Sequence, residues 1–232
     1  MNCFKAYIFD MDNTLYDYSY CHRNGINAVV QYLKDNYYGD YGGSDFEDYS
    51  RRLKNIQINS GNEACRTSIH NKLLYFQELA MDNVNIKNIA QVSLEMYDAY
   101  LEGFLSDCRP FPWVESYLRD LKWSGAFLGI CTNQTSHMQL NILSKLGFSE
   151  LFDVVITSEL VGVEKPKESI YHEVFRHLLS KNCMLKQESV CFVGDNYEHD
   201  FRGPKACGYE AMNYYSLIEG VTNEYCGRKI WS

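Results

Sequence analysis

The sequence predicts an α/β fold, a doubly wound and mostly parallel sheet interrupted by one helical insertion. Three patterns carry that prediction. Five short runs are apolar at nearly every position, amphipathic helices lie between most of them, and one long stretch holds helices but no convincing strand. Runs that are apolar throughout, rather than at alternate positions, belong to strands covered on both faces, as in a parallel sheet flanked by helices.

The first run is Phe4–Asp10, which ends on an acid. Between Tyr16 and Cys108 the chain changes character. Ile26, Val29, Val30 and Leu33 fall on one helical face, as do Ile69, Leu73, Phe76 and Ala80, and then Ile89, Val92, Met96 and Ala99. Tyr37–Asp45 (YYGDYGGSD) reads as a glycine-rich turn region. Eleven of the 19 tyrosines lie between Tyr16 and Pro110, so this stretch differs from the rest in composition too. Next comes a helix with Pro112 in its first turn, Val114, Leu118 and Leu121 along one face, and Gly125 at its end. The remaining strands are Ala126–Thr132, Val154–Thr157, Val190–Gly194 and Glu210–Asn213. Met138, Ile142 and Leu146 make a helical stripe closed by Gly147, and Ile170, Val174 and Leu178 make another. Strand alternating with helix after residue 110 is the pattern of a doubly wound domain. The expected organisation is an α/β core over 1–15 and 109–232, with a helical domain over 16–108. The tail after Tyr214 carries little signal.

At 232 residues and 46% hydrophobic content, the chain can bury a core without disulfide or metal staples. Charged residues at 22% and aromatics at 15% exclude wholesale disorder. A net charge of −8 argues against nucleic acid as a partner. It leaves a small anionic substrate open, because one site can be locally positive on an acidic protein. The nine cysteines are dispersed and include no C-x-x-C pair, which fits neither a zinc site nor a disulfide framework. Cys131 and Cys191 fall inside apolar runs, where cysteine acts as a small hydrophobe. No apolar run approaches the ~20 residues needed to span a bilayer, and Met1–Asp10 lacks the features of a signal peptide. These features predict a reduced, soluble, cytoplasmic protein with no membrane partner; nothing in them sets an oligomeric state.

The chemistry concentrates at strand ends. Phe9-Asp10-Met11-Asp12-Asn13-Thr14-Leu15 places two carboxylates after the first strand, at the carboxyl edge where open α/β sheets bind ligands. An acidic turn would look similar, since Asp and Asn also favour turns and caps. Three further strand ends weigh against that bland reading. Thr132-Asn133 closes the second strand with a hydroxyl and a backbone N–H, although it could equally cap the next helix. Lys165-Pro166 follows the third, where a solitary lysine would ordinarily be a solvated surface charge. Gly194-Asp195, with Glu198 and Asp200, closes the fourth. Asp10, Asp12, Asp195 and Asp200 thus collect on one sheet edge, where their mutual repulsion calls for a divalent cation or a lysine. An all-oxygen set suits Mg²⁺ far better than zinc.

These four segments, FDMDNTL at 9–15, TN at 132–133, KP at 165–166 and GDNYEHD at 194–200, resemble the haloacid dehalogenase-like superfamily of hydrolases. The resemblance covers most of the α/β part and implies a Rossmann-like core. The helical insertion falls where the helical-cap subclass carries its cap domain. Gly203-Pro204-Lys205-Ala206-Cys207-Gly208 is similar to that subclass as well, with Pro204 where alanine is commoner.

Asp10 is the candidate nucleophile for in-line attack on phosphorus, giving an aspartyl-phosphate, and Asp12 the candidate acid and base. The resemblance implies Mg²⁺ held by Asp10, Asp195 and the backbone carbonyl of Asp12. It also implies phosphoryl oxygens held by Thr132, the Asn133 backbone and Lys165. Thr14 is a supporting residue, and Asp200 orients either Lys165 or a metal-bound water. The expected reaction is hydrolysis of a small phosphorylated metabolite, a sugar phosphate or nucleoside monophosphate. The first motif leans towards nucleotidase-like and acylneuraminate-phosphatase-like members. A phosphomutase would keep all four motifs. A haloacid dehalogenase needs no proton donor for its leaving group, so Asp12 disfavours it. A phosphonate hydrolase would need a cap lysine of depressed pKa, and nothing around Lys34, Lys54, Lys72 or Lys87 predicts one. The intact Asp10 and Asp12 count against a non-catalytic module. In the cap, Arg66, His70 and Lys72 are candidates to face a polar leaving group, and Tyr16, Tyr18, Tyr20 and His22 line the expected hinge. The six histidines have no metal spacing.

Overall fold

The computed structural model describes residues 4–37, 51 and 68–214. Arg66, Lys54, most of the Tyr37–Asp45 segment, Cys3, Cys65, Cys226 and the tail after Tyr214 lie outside the described residues. In chain order the main elements are β1 (Ala6–Phe9), α1 (Tyr18–Asn36), α2 (Lys72–Asp82), α3 (Ile89–Ser106), α4 (Val114–Trp123), β2 (Phe127–Thr132), α5 (Ser136–Leu146), β3 (Val154–Thr157), α6 (Glu168–Lys181), β4 (Val190–Gly194) and β5 (Glu210–Asn213). The chain divides into two compact units, 1–17 with 109–232, and 18–108. Tyr16 and Asp17 fall with the sheet, two residues beyond the boundary expected from the sequence.

In the first unit all five strands are parallel, in the order β3-β2-β1-β4-β5. β1 is central, and Ala6, Tyr7, Ile8 and Phe9 are all buried, which is why its sequence does not alternate. Ile170, Val174 and Leu178 of α6 pack with Ile8, Cys131, Ile156 and Phe192. On the other hand, Phe9 meets the edge of Tyr117 of α4. Each such side chain contributes about 1.5–3 kcal/mol on burial. Pro112 lies in the turn before α4 rather than in its first turn, since the helix begins at Val114. The chain runs from β1 outward through β2 to β3, then returns to lay β4 on the other flank of β1. The carboxyl ends of β1 and β4 therefore adjoin at the topological switch point, where open sheets bind ligands.

The second unit is helical. Ile26, Val29 and Leu33 of α1 are buried, as are Val92, Met96, Tyr100 and Phe104 of α3. α1 and α3 cross closely, and a Cβ added at Gly103 would lie 2.6 Å from Ala28 Cβ and 2.8 Å from the Asn24 carbonyl. Tyr100 accepts or donates a 2.7 Å hydrogen bond with His22 Nδ1, and its ring packs on Phe76 and Phe104. Tyr75, Phe76, Tyr100 and Phe104 are fully buried and belong to the core of this unit. Tyr18 and His22, expected at a hinge, lie on α1 with their rings stacked. Cys21, Cys108, Cys131, Cys183, Cys191 and Cys207 are thiols, with no disulfide among the described residues. No helix among the described residues is long and apolar enough to cross a membrane.

Candidate active site

β1 delivers Asp10 to the sheet edge, and its amide extends the pairing by donating to Val193 O at 2.9 Å. The chain then turns sharply, with Thr14 N and Leu15 N both donating to Met11 O. The turn needs a left-handed residue, and Asn13 takes it at φ 59°, a conformation asparagine tolerates better than most. The turn buries Met11, Thr14 and Leu15 completely. Thr14 Oγ1 lies 3.5 Å from Asp195 Oδ1, a long hydrogen bond across the switch point.

Lys165, which the sequence alone would leave on the surface, is only 4% exposed. Its Nζ donates to Asp10 Oδ1 at 2.8 Å and to Asp200 Oδ1 at 2.6 Å. The Asn133 side chain holds the lysine's own backbone: Lys165 N donates to Asn133 Oδ1 at 2.8 Å, and Asn133 Nδ2 donates to Lys165 O at 3.1 Å. The Lys165–Pro166 peptide is cis. Thr132, the last residue of β2, is 1% exposed and pairs with Thr157.

After β4 the chain enters a π-helical turn, Tyr197–Arg202. Asn196 caps it, accepting at Oδ1 from Glu198 N and His199 N. Asp200 is thereby folded back: its Oδ2 accepts from Asn196 N at 3.1 Å while Oδ1 holds Lys165. Asp200 thus contacts Lys165 directly. Gly194 permits it, because a Cβ there would overlap the Asp200 carboxylate.

Carboxylate oxygens of Asp10, Asp195 and Asp200 lie within 4.8 Å of one another. Burial pushes the Asp10 carboxyl up to about 8, opposed by the charge of Lys165 and reinforced by Asp200 and Asp12. Burial also raises Asp195, with help from the Asp200 charge. Burial works against the Lys165 ammonium, but Asp10 and Asp200 hold it well above the usual lysine range. Burial, then the charge of Lys165, lowers His199.

The Asp12 carboxylate is not one of that group, although its charge raises both Asp10 and Asp195. Its Oδ1 accepts from Tyr16 Oη at 2.6 Å and from Gln139 Nε2 at 3.0 Å. The sequence reading missed Gln139 and gave Tyr16 a hinge role. A signal for Gln139 was present, since Gln139, Ile142, Leu143 and Leu146 follow i, i+3, i+4, i+7 spacing and put a polar residue on the buried face of α5. The first amides of α5 are engaged by side chains: Thr135 N donates to Gln134 Oε1 and Ser136 N to Glu159 Oε2.

The family model for haloacid dehalogenase-like hydrolases matches residues 4–208. The chain belongs to that family. This haloacid dehalogenase-like hydrolase is 30% identical over 224 residues to the ribulose-1,5-bisphosphate 5-phosphatase of Halopiger xanaduensis, covering 96% of this chain and 90% of the relative. It is 27% identical over 195 residues to the pyrimidine 5'-nucleotidase YjjG of Escherichia coli, covering 84% and 79%. Its fold is similar to that of a 2-haloacid dehalogenase from Pseudomonas syringae pv. Tomato DC3000, with a TM-score of 0.71 at 19% identity over 99% of this chain and 90% of that one. A HAD phosphatase from Thermococcus onnurineus gives a TM-score of 0.61 at 20% identity, covering 93% and 96%.

Proposed function

We propose that this hydrolase cleaves phosphate monoesters of small metabolites, a sugar phosphate or a nucleoside monophosphate, through an aspartyl-phosphate on Asp10. The observation that carries the reading is the division of labour between the two aspartates. Asp10 is buried against Lys165, whereas neutral donors hold Asp12 outside the carboxylate cluster. Displacing a halide would need no such second acid. The phosphatase and nucleotidase relatives support the same substrate class.

A carboxylate oxygen of Asp10 attacks phosphorus as the bond from phosphorus to the leaving oxygen breaks. The departing oxygen keeps the electron pair and takes the proton of Asp12. Water then attacks the phosphorus of the aspartyl-phosphate and gives its proton to Asp12. The Asp10–phosphorus bond breaks, releasing phosphate and restoring the Asp10 carboxylate. Lys165, the Thr132 hydroxyl and the Asn133 backbone N–H bind the phosphoryl oxygens and stabilise charge in the transition state.

The oxygen-only donor set, with carboxylates within 4.8 Å, fits Mg²⁺. Asp10, Asp195 and the Asp12 backbone carbonyl would hold it, since both Asp200 oxygens are occupied by Lys165 and Asn196. When bound, the ion neutralises the carboxylates and the phosphoryl charge. Residues 18–108 are the cap that selects the leaving group in this reading. The dispersed cysteines, with no C-x-x-C pair, support placing the enzyme in a reducing cytoplasm.

Phosphate release from p-nitrophenyl phosphate with Mg²⁺, abolished by chelator and reduced at least ~10³-fold by Asp10→Asn, is the expected result. Full activity of Asp10→Asn would overturn the nucleophile assignment. Halide release from a haloacid without phosphatase activity would restore the dehalogenase alternative, and conversion of a sugar phosphate to its isomer would identify a mutase.

A further inference from the structure

Gln139 is completely buried on α5, with its Oε1 lacking any hydrogen-bond partner among the described residues. A buried amide with an orphaned oxygen costs stability that a leucine or methionine at the same place would not. The other end of the amide is engaged, donating to Asp12 Oδ1 at 3.0 Å. Turning the amide over would set Oε1 against Oδ1, two acceptors face to face. The orphaned oxygen is therefore inherent in putting an amide N–H on this carboxylate.

Tyr16, itself fully buried, donates to the same Oδ1 at 2.6 Å. Two donors fixed by packing thus grip one oxygen of Asp12, while Oδ2 accepts no hydrogen bond among the described residues. Both donors are neutral, so they set the direction of the carboxyl without adding charge beside it. The geometry points to Gln139 as the positioning residue for Asp12: together with Tyr16 it anchors Oδ1 and leaves Oδ2 to exchange protons with the leaving oxygen and with water. This inference rests on the phosphohydrolase reading and adds to it a residue of the helix after the Thr132-Asn133 motif.

The consequence is dependence on the leaving group. A leaving oxygen of high basicity needs a proton as it departs, whereas p-nitrophenolate leaves with little help. Gln139→Met, of similar volume, therefore lowers kcat/KM for an alkyl phosphate by about 10²-fold, at least ten times more than for p-nitrophenyl phosphate. Its kcat falls for both substrates, since water attack on the common aspartyl-phosphate uses Asp12 as base. Tyr16→Phe shows the same selectivity. Equal losses of kcat/KM across leaving groups, or no loss, overturn the positioning role. If Gln139→Met does not fold, Gln139→Leu and Tyr16→Phe carry the same comparison. Asp12→Asn and Asp10→Asn separate the two levels of failure. An Asp12→Asn enzyme without leaving-group selectivity, or an active Asp10→Asn enzyme, refutes the underlying mechanism. Selective loss in Asp12→Asn with uniform loss in Gln139→Met refutes the role of Gln139 alone.

Discussion

Both compact units bury a lysine, and they accommodate it by different means. In the sheet unit, Lys165 is enclosed with Asp10 and Asp200 at 2.8 and 2.6 Å. In the helical unit, the Lys72 ammonium lies 5.0 Å from the centre of the Tyr75 ring. The first arrangement buries an ammonium with two carboxyl groups where solvent cannot screen them, so its removal leaves them uncompensated. The second sets a cation over an aromatic face, an attraction of about 0.5–2 kcal/mol. The sheet unit thus holds reactive charge in place at a cost in stability.

The largest expected difference comes from deleting each ammonium. Lys165→Met removes the ammonium that balances Asp200 and opposes the cost of burying Asp10, so it destabilises the protein by about 3–5 kcal/mol and removes phosphatase activity. In Lys72→Met the loss of the contact over Tyr75 removes about 0.5–2 kcal/mol. Thermal or urea unfolding of the two variants side by side measures the gap, and equal losses would erase the contrast.

Glycines sharpen it next. Gly194→Ala drives a methyl into the pinned Asp200 carboxylate, and Gly103→Ala drives one into Ala28 at the α1–α3 crossing. Each costs about 1–3 kcal/mol by overpacking. Gly194→Ala additionally displaces the lysine's partner, so its kcat falls at temperatures well below its unfolding midpoint.

The last contrast is a slope of stability with pH. Burial holds the Asp10 proton up to about pH 8, while the unfolded chain releases it near 3.8. Between those values the metal-free folded state binds more protons than the unfolded state, so its stability falls as pH rises. Asp10→Asn flattens that slope in melts recorded from pH 4 to 8, and an unchanged slope would assign it to another group.

The strands and their loaded ends were legible in the sequence because burial on both faces writes itself as an unbroken apolar run. Asp10, Thr132 and Asp195 each sit directly at such an end. Other parts were less visible because they depend on distant partners. The burial of Lys165 follows from two carboxylates 155 and 35 residues away. The grip of the Asn133 side chain on the lysine backbone spans 32 residues, and that of Gln139 on Asp12 spans 127. No local pattern encodes such pairings. The start of α4 was misplaced by two residues because proline is welcome both in a first turn and just ahead of one.

The strand order has a consequence for how the enzyme is made. β1 is synthesised early, yet one of its two neighbours, β4, ends at Gly194. At about 5–20 residues per second, the strand bearing Asp10 waits roughly ten to forty seconds for that neighbour to emerge from the ribosome. Until then Asp10 has neither Asp195 nor Asp200 beside it, and the turn at Asn13 lacks its long-range contact from Thr14. Assembly of the carboxylate cluster thus waits for β4 and the turn after it, with only β5 left to join the sheet.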